Sequence, residues 1–154
     1  MGKLDNLGAI VTGAAEGIGE AIAIELASNG AKVACIDFNK ESGIDTAKKI
    51  NDIGGEALFI KTDISDPNQV KSMVSESSNF LESIDILVNN AAKFIFGAVE
   101  DVSQEQWEDI LKVNVIGYST CVKEALPHLK KSGKSAVVNL ASVSSIIAGP
   151  KFVP

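Results

Sequence analysis

Three glycines near the amino terminus are spaced so that a short turn can hold an anion. They lie in Thr12-Gly13-Ala14-Ala15-Glu16-Gly17-Ile18-Gly19, between a β-branched run, Gly8 to Thr12, and an apolar helical stretch. Gly13 permits a sharp turn, Gly17 lets the backbone approach a bulky anion, and Gly19 lets the helix pack close to the sheet. The first amides of that helix, around Glu16, Gly17 and Ile18, lack intrahelical partners and carry partial positive charge, which suits a pyrophosphate. A glycine-rich turn that binds nothing is the alternative these residues leave open.

Asp37 follows 18 residues after Gly19, close to the ~20-residue offset of the acid that holds a dinucleotide's ribose. A carboxylate there accepts bonds from both ribose hydroxyls and repels a 2′-phosphate. Glu16 adds negative charge beside the same place, and the chain has no arginine to clamp a phosphate through two parallel bonds. Together they favour NAD over NADP. The other reading of Asp37 is an Asx turn or a helix cap ahead of Lys40.

Two further polar residues stand in apolar surroundings. Asn114 falls within a helical stripe of Trp107, Leu111, Tyr118, Cys121 and Ala125, where an amide is costly unless partnered. It is either a core asparagine bonded to nearby backbone or a functional group. Ser142 ends an apolar strand, a position usually taken by a turn or cap residue.

The elements that must position these residues alternate. Residues 8–12, 32–36, 56–61, 84–88 and 135–141 read as strands, apolar on both faces like parallel strands buried under helices. Helices are expected at about 17–29, 40–53, 67–81 and 104–130. Asp66-Pro67-Asn68-Gln69 and Ser103-Gln104-Glu105-Gln106 supply start signals with a reach-back amide, while Gly30 and Gly54 supply stops. The alternation points to an α/β, doubly wound parallel sheet. In such sheets ligands bind beyond the carboxyl ends of the strands. Those ends carry Thr12-Gly13, Asp37, Asp63, Asn89-Asn90 and Ser142.

Composition narrows the field. The 154 residues are 45% hydrophobic and 22% charged, a globular balance that fits one domain. No apolar run approaches the ~18 residues of a membrane span. Twenty acids against 14 bases leave no basic face for nucleic acid. Cys35, Cys121 and His128 have no metal-ligand spacing, and two cysteines in core-like segments fit a reducing, cytoplasmic setting. Phe94-Ile95-Phe96-Gly97 reads equally as a substrate mouth or as core.

Taken in order, these residues resemble the short-chain dehydrogenase/reductase family over essentially the whole chain. Thr12-Gly13-x-x-x-Gly17-x-Gly19 is similar to that family's cofactor turn. Asn89-Asn90-Ala91-Ala92 resembles its Asn-Asn-Ala-Gly segment, with Ala92 in place of the usual glycine. Asp63-Ile64 is similar to the pair that faces adenine in members, and Asn114 and Ser142 to the active-site asparagine and serine. The resemblance implies a Rossmann-like sheet of order 3-2-1-4-5, forming a single NAD-binding domain over residues 1–154 whose later strands and helices are missing. It implies hydride transfer between NAD(H) and a small alcohol or carbonyl compound. Asn114 would bend its helix and hold a water of the proton relay, and Ser142 would hydrogen-bond the substrate oxygen.

The family's acid–base group is a tyrosine in Tyr-x-x-x-Lys about a dozen residues past that serine, its lysine bringing a phenol of pKa ~10 into useful range. The sequence closes on Gly149-Pro150-Lys151-Phe152-Val153-Pro154, so that tyrosine is expected at about the next position. Tyr118, the one tyrosine, has Val122 where the lysine would be and reads as packing. The chain as given is therefore expected to bind dinucleotide without general acid–base catalysis. Its last strand is expected to be an uncovered, self-associating edge. The complete protein is expected to be a homo-oligomer. A non-catalytic NAD-sensing or interaction domain ending naturally at Pro154 is the second reading.

Overall fold

The computed structural model describes residues 2–147, so the closing segment from Gly149 to Pro154 lies outside the described residues. Five parallel strands, β1 (Gly8–Thr12), β2 (Lys32–Asp37), β3 (Glu56–Lys61), β4 (Ile86–Asn89) and β5 (Ala136–Asn139), form one sheet of order β3-β2-β1-β4-β5. The connections are α1 (Gly17–Ser28), α2 (Lys40–Asp52), α3 (Pro67–Leu81), and α4 (Gln104–Leu111) running into α5 (Tyr118–Ser132). The α/β alternation and the strand order are those expected from the sequence.

The two-residue period of the strands divides the core into two layers. Ile10, Ala34, Ile36 and Leu87 pack with Val70, Met73 and Leu81 of α3 and Cys121, Ala125 and Leu129 of α5. Ala9, Val11, Val33, Cys35 and Val88 pack with Ala23 and Ala27 of α1 and Ala47 and Ile50 of α2. Burial pushes the thiols of Cys35 and Cys121 up to about 12, so both stay neutral.

Local signals set the helix ends. Asp66 accepts from the backbone of Asn68 and Gln69, and Ser103 and Gln106 close a capping box. Gln69 does not reach back to the backbone of Asp66. Its Oε1 accepts instead from the Asp63 amide (3.0 Å), tying α3 to the end of β3.

Three expectations are corrected. The helix anticipated over 104–130 is interrupted by a π-helical segment, Lys112–Gly117. A π turn holds an extra residue, so the face buried ahead of it sits one position earlier than an unbroken α period places it. Ile110 is accordingly buried while Leu111 is 46% exposed and Trp107 only half-buried. Next, β4 begins at Ile86 rather than Ile84, because at Asp85 only one of the two backbone bonds of a ladder pair to Gly8 of β1 is made and the side chain supplies the other. Asp85 Oδ2 accepts from the Gly8 amide (2.8 Å), and its carboxylate also accepts from Ser83 and Ser132. Finally, β5 is shorter than expected, since its ladder can extend only as far as β4 does, and all four of its residues are exposed. A strand with one neighbour and only slight cover from α5 among the described residues is not buried as its apolar sequence suggested.

The exposed Val137 and Val138 of β5 lie beside an open strand edge. The 154-residue chain is expected to associate as concentration rises, read by sedimentation velocity. A monodisperse monomer with a sharp melting transition is the contrary outcome.

Candidate functional site

The carboxyl ends of the five strands open into one cleft of about 1750 Å³. Its first wall is the turn after β1. Gly13 and Gly17 adopt φ of +67° and +58°, conformations natural to glycine. A Cβ on Gly17 would meet nothing within 4 Å among the described residues, so that position is bare backbone facing open space. A Cβ on Gly19 would lie 1.9 Å from the Gly13 carbonyl oxygen and 2.5 Å from Asn90 Nδ2. Gly19 is thus required by the turn itself rather than by packing of the helix on the sheet.

Asn90 is the staple of that turn; the sequence placed it at a strand end beside Asn89 without assigning it a task of its own. Its Nδ2 donates to the carbonyls of Thr12 (3.0 Å) and Gly13 (3.1 Å), while its amide donates to Thr12 Oγ1 (3.0 Å). Thr12 Oγ1 also receives the Ala91 amide (3.2 Å) and donates to the Val88 carbonyl (3.3 Å). The signal was available: successive residues at a strand end point to opposite faces, so an Asn-Asn pair must divide its work. Asn89 turns the other way, fully buried, with Nδ2 donating to Asn139 Oδ1 (2.8 Å) and to the Tyr118 carbonyl (3.4 Å). Asn89 and Gly19 therefore support the cleft from behind, whereas Gly13, Glu16, Gly17, Ile18 and Ala91 line it.

Asp37, at the end of β2, is 8% exposed. One oxygen accepts from the Ala15 amide (3.0 Å), the other from the Asn39 amide (2.9 Å). The second bond is the Asx turn that the sequence allowed, and it coexists with a place on the cleft wall. Asp63 and Ile64 line the same end, Asp63 Oδ1 accepting from the Ser65 amide (2.9 Å) and Ile64 buried beneath Gly117. Glu16, Asp37 and Asp63 give this end three carboxylates.

Asn114 lies inside the π segment, and both the oxygen and the nitrogen of its side-chain amide are engaged. Oδ1 accepts from the Lys93 amide (2.8 Å) and Nδ2 donates to the Lys93 carbonyl (3.0 Å). That clamp supplies the partners a half-buried asparagine needs and fixes the chain leaving β4 against the π turn. Lys93 also pairs with Asp109 at 2.7 Å, holding that carboxyl below the usual carboxylate range. Nothing in the sequence spacing announced the pair, which joins elements 16 residues apart.

Ser142 caps a 3-10 turn, Val143–Ser145, its Oγ accepting from the Ser144 amide (3.1 Å), and it stands on the cleft wall. Tyr118 borders the same region half-buried, and burial raises its phenol above the ordinary value. Phe94 and Phe96, 65% and 71% exposed, rim the cleft and are not core. Among the described residues no three His, Cys, Asp or Glu side chains gather as a metal site, and no helix is long and apolar enough to cross a membrane.

The sequence pattern of the short chain dehydrogenase family matches residues 8–154. An uncharacterized oxidoreductase of Thermotoga maritima is 34% identical over 146 residues, covering 95% of this chain and 57% of that protein. Meso-2,3-butanediol dehydrogenase of Serratia marcescens is 38% identical over 144 residues, covering 94% of this chain and 56% of that one. The crystal structure of a short chain dehydrogenase/reductase from Burkholderia phymatum in complex with NAD superposes with a TM-score of 0.93 at 27% identity, over 99% of this chain and 54% of that one. The chain thus spans little more than half the length of these relatives.

Proposed function

The chain belongs to the short-chain dehydrogenase family, and from that premise we propose that it forms the coenzyme-binding part of an NAD-dependent oxidoreductase. The complete protein would move a hydride between NAD(H) and an alcohol or carbonyl substrate. The observation that carries the reading is convergence. The bare backbone at Gly17, the acid at Asp37, Asn114 and Ser142 come from four different segments and meet on one cleft.

The cleft fits a dinucleotide. Gly17 leaves room where any side chain would stand, at the start of α1, whose first amides have no intrahelical partner. Asp37 retains lone pairs beyond the two it has engaged, available to ribose hydroxyls. When bound, the coenzyme supplies the carbon that accepts or gives the hydride. Ser142 Oγ would donate to the substrate oxygen, favouring the charge that gathers there. Asn114 would keep the π turn and the Lys93 backbone in register, so that the wall between coenzyme and substrate holds its shape. In the complete protein the general acid–base proton would come from a tyrosine of the Tyr-x-x-x-Lys kind, which residues 1–154 do not contain.

NAD over NADP is supported by the three carboxylates at the adenosine end and by the absence of arginine. The NAD complex of the Burkholderia protein and the diol dehydrogenase activity named for the Serratia protein agree with the coenzyme and substrate class. Two buried free thiols accord with a cytoplasmic setting.

Titration with NADH and NADPH, followed by nicotinamide fluorescence, tests the reading. NADH is expected to bind more tightly. Asp37→Ala is expected to reduce that preference by about tenfold, because the charge opposing a 2′-phosphate is gone. Equal affinity in the unmodified protein would contradict the coenzyme assignment. In the full-length protein, a small secondary alcohol should reduce NAD, read by nicotinamide absorbance.

A further inference from the structure

We infer that Asp37 is also a positioning residue for the pyrophosphate end of the cleft, acting through the Ala15 amide. The inference rests on the coenzyme reading above and adds to it a second task for the same carboxylate. The turn after β1 has two halves. Ala14 and Ala15 are buried, whereas Glu16, Gly17 and Ile18 are exposed on the cleft.

The buried half is tied to β2 and α2 by three bonds. The Ala14 amide donates to the Ile36 carbonyl (3.1 Å), the Ala15 amide to Asp37 Oδ2 (3.0 Å), and Thr46 Oγ1 to the Ala15 carbonyl (3.3 Å). Of these, the bond to Asp37 is the charge-assisted one. Asp37 is itself braced by the Asn39 amide at 2.9 Å, so the carboxylate cannot swing to follow the turn. It is an anchor. The amides at residues 16–19 that would meet the pyrophosphate begin one peptide unit beyond the anchored one.

A residue that only reads the sugar has no influence on a ligand lacking sugar hydroxyls. A residue that also sets the turn keeps its influence. The test compares ADP with 2′,3′-dideoxyadenosine diphosphate, binding each by calorimetry to the unmodified chain, Asp37→Ala and Asp37→Asn. Ala15 amide exchange is measured by NMR alongside, and the thermal transition confirms folding.

Asp37→Ala is expected to weaken the dideoxy ligand about fivefold or more and to speed exchange at Ala15. Asp37→Asn keeps one acceptor oxygen for Ala15 and is expected to restore part of both; it carries the comparison alone if the alanine variant does not fold. The inference is overturned if the substitutions weaken ADP but leave dideoxy-ADP and Ala15 exchange unchanged. That pattern would leave the sugar-reading role standing. If the unmodified chain binds neither ligand, the coenzyme reading fails and this inference with it.

Discussion

Gly19→Ala is expected to weaken NADH binding by about a hundredfold or more and to lower stability by roughly 2–3 kcal/mol. The added methyl would lie 1.9 Å from the Gly13 oxygen and 2.7 Å from the Gly13 carbonyl carbon. Both are backbone atoms and have no rotamer to adopt. Relief requires α1 to move away from the turn, and that movement strains both bonds from Asn90 Nδ2 to the Thr12 and Gly13 carbonyls. The anion-facing amides of α1 move with it. Gly17→Ala is the informative companion, because its methyl meets nothing within 4 Å among the described residues. It costs only the ~1–2 kcal/mol of a left-handed conformation, yet stands where a phosphate must approach. NADH fluorescence and urea melts measure both variants. Binding by Gly19→Ala as tight as in the unmodified chain would refute the account of the turn.

Asp85→Ala should produce the largest loss of stability, about 3–4 kcal/mol by denaturant unfolding. Asp85 is 3% exposed and lies at the opposite end of the sheet from the cleft. Its carboxylate receives the Gly8 amide that opens β1 and the hydroxyls of Ser83 and Ser132, the latter at the end of α5. Its backbone meanwhile donates to the Gly8 carbonyl (2.9 Å) and accepts from the Ala136 amide (2.8 Å), so three strands meet at one residue. Alanine keeps the backbone bonds but leaves a buried amide with no acceptor, which costs more than the lost bond alone. NADH affinity per folded molecule should change little, since among the described residues no cleft residue bonds to Asp85. A stability change below about 1 kcal/mol would show that solvent replaces the carboxylate easily.

Much of the fold was legible because short-range physics writes it. Alternating β-branched runs and amphipathic stretches, separated by Asp66-Pro67, Ser103 and glycines of positive φ such as Gly30 and Gly54, admit few local solutions. The π segment was not legible from its own residues, because an α period read through 112–117 looks unbroken. Only the tertiary burial of Ile110 in place of Leu111 exposes the extra residue. The exposure of β5 was likewise invisible in its apolar sequence, since burial depends on what covers a strand rather than on what it is made of.

The sequence by itself determined the alternation of elements, the glycine turn and the residues that end each strand, because these follow from backbone conformation and side-chain type within a few positions. Tertiary structure alone decided how those residues divide their work. It turned Asn89 inward and Asn90 onto the turn, gave Asn114 the Lys93 backbone as partner, and set the Asp37 carboxylate against the Ala15 amide. Each of these bonds joins segments at least 21 residues apart. A donor finds its acceptor only after the sheet has brought distant strand ends together.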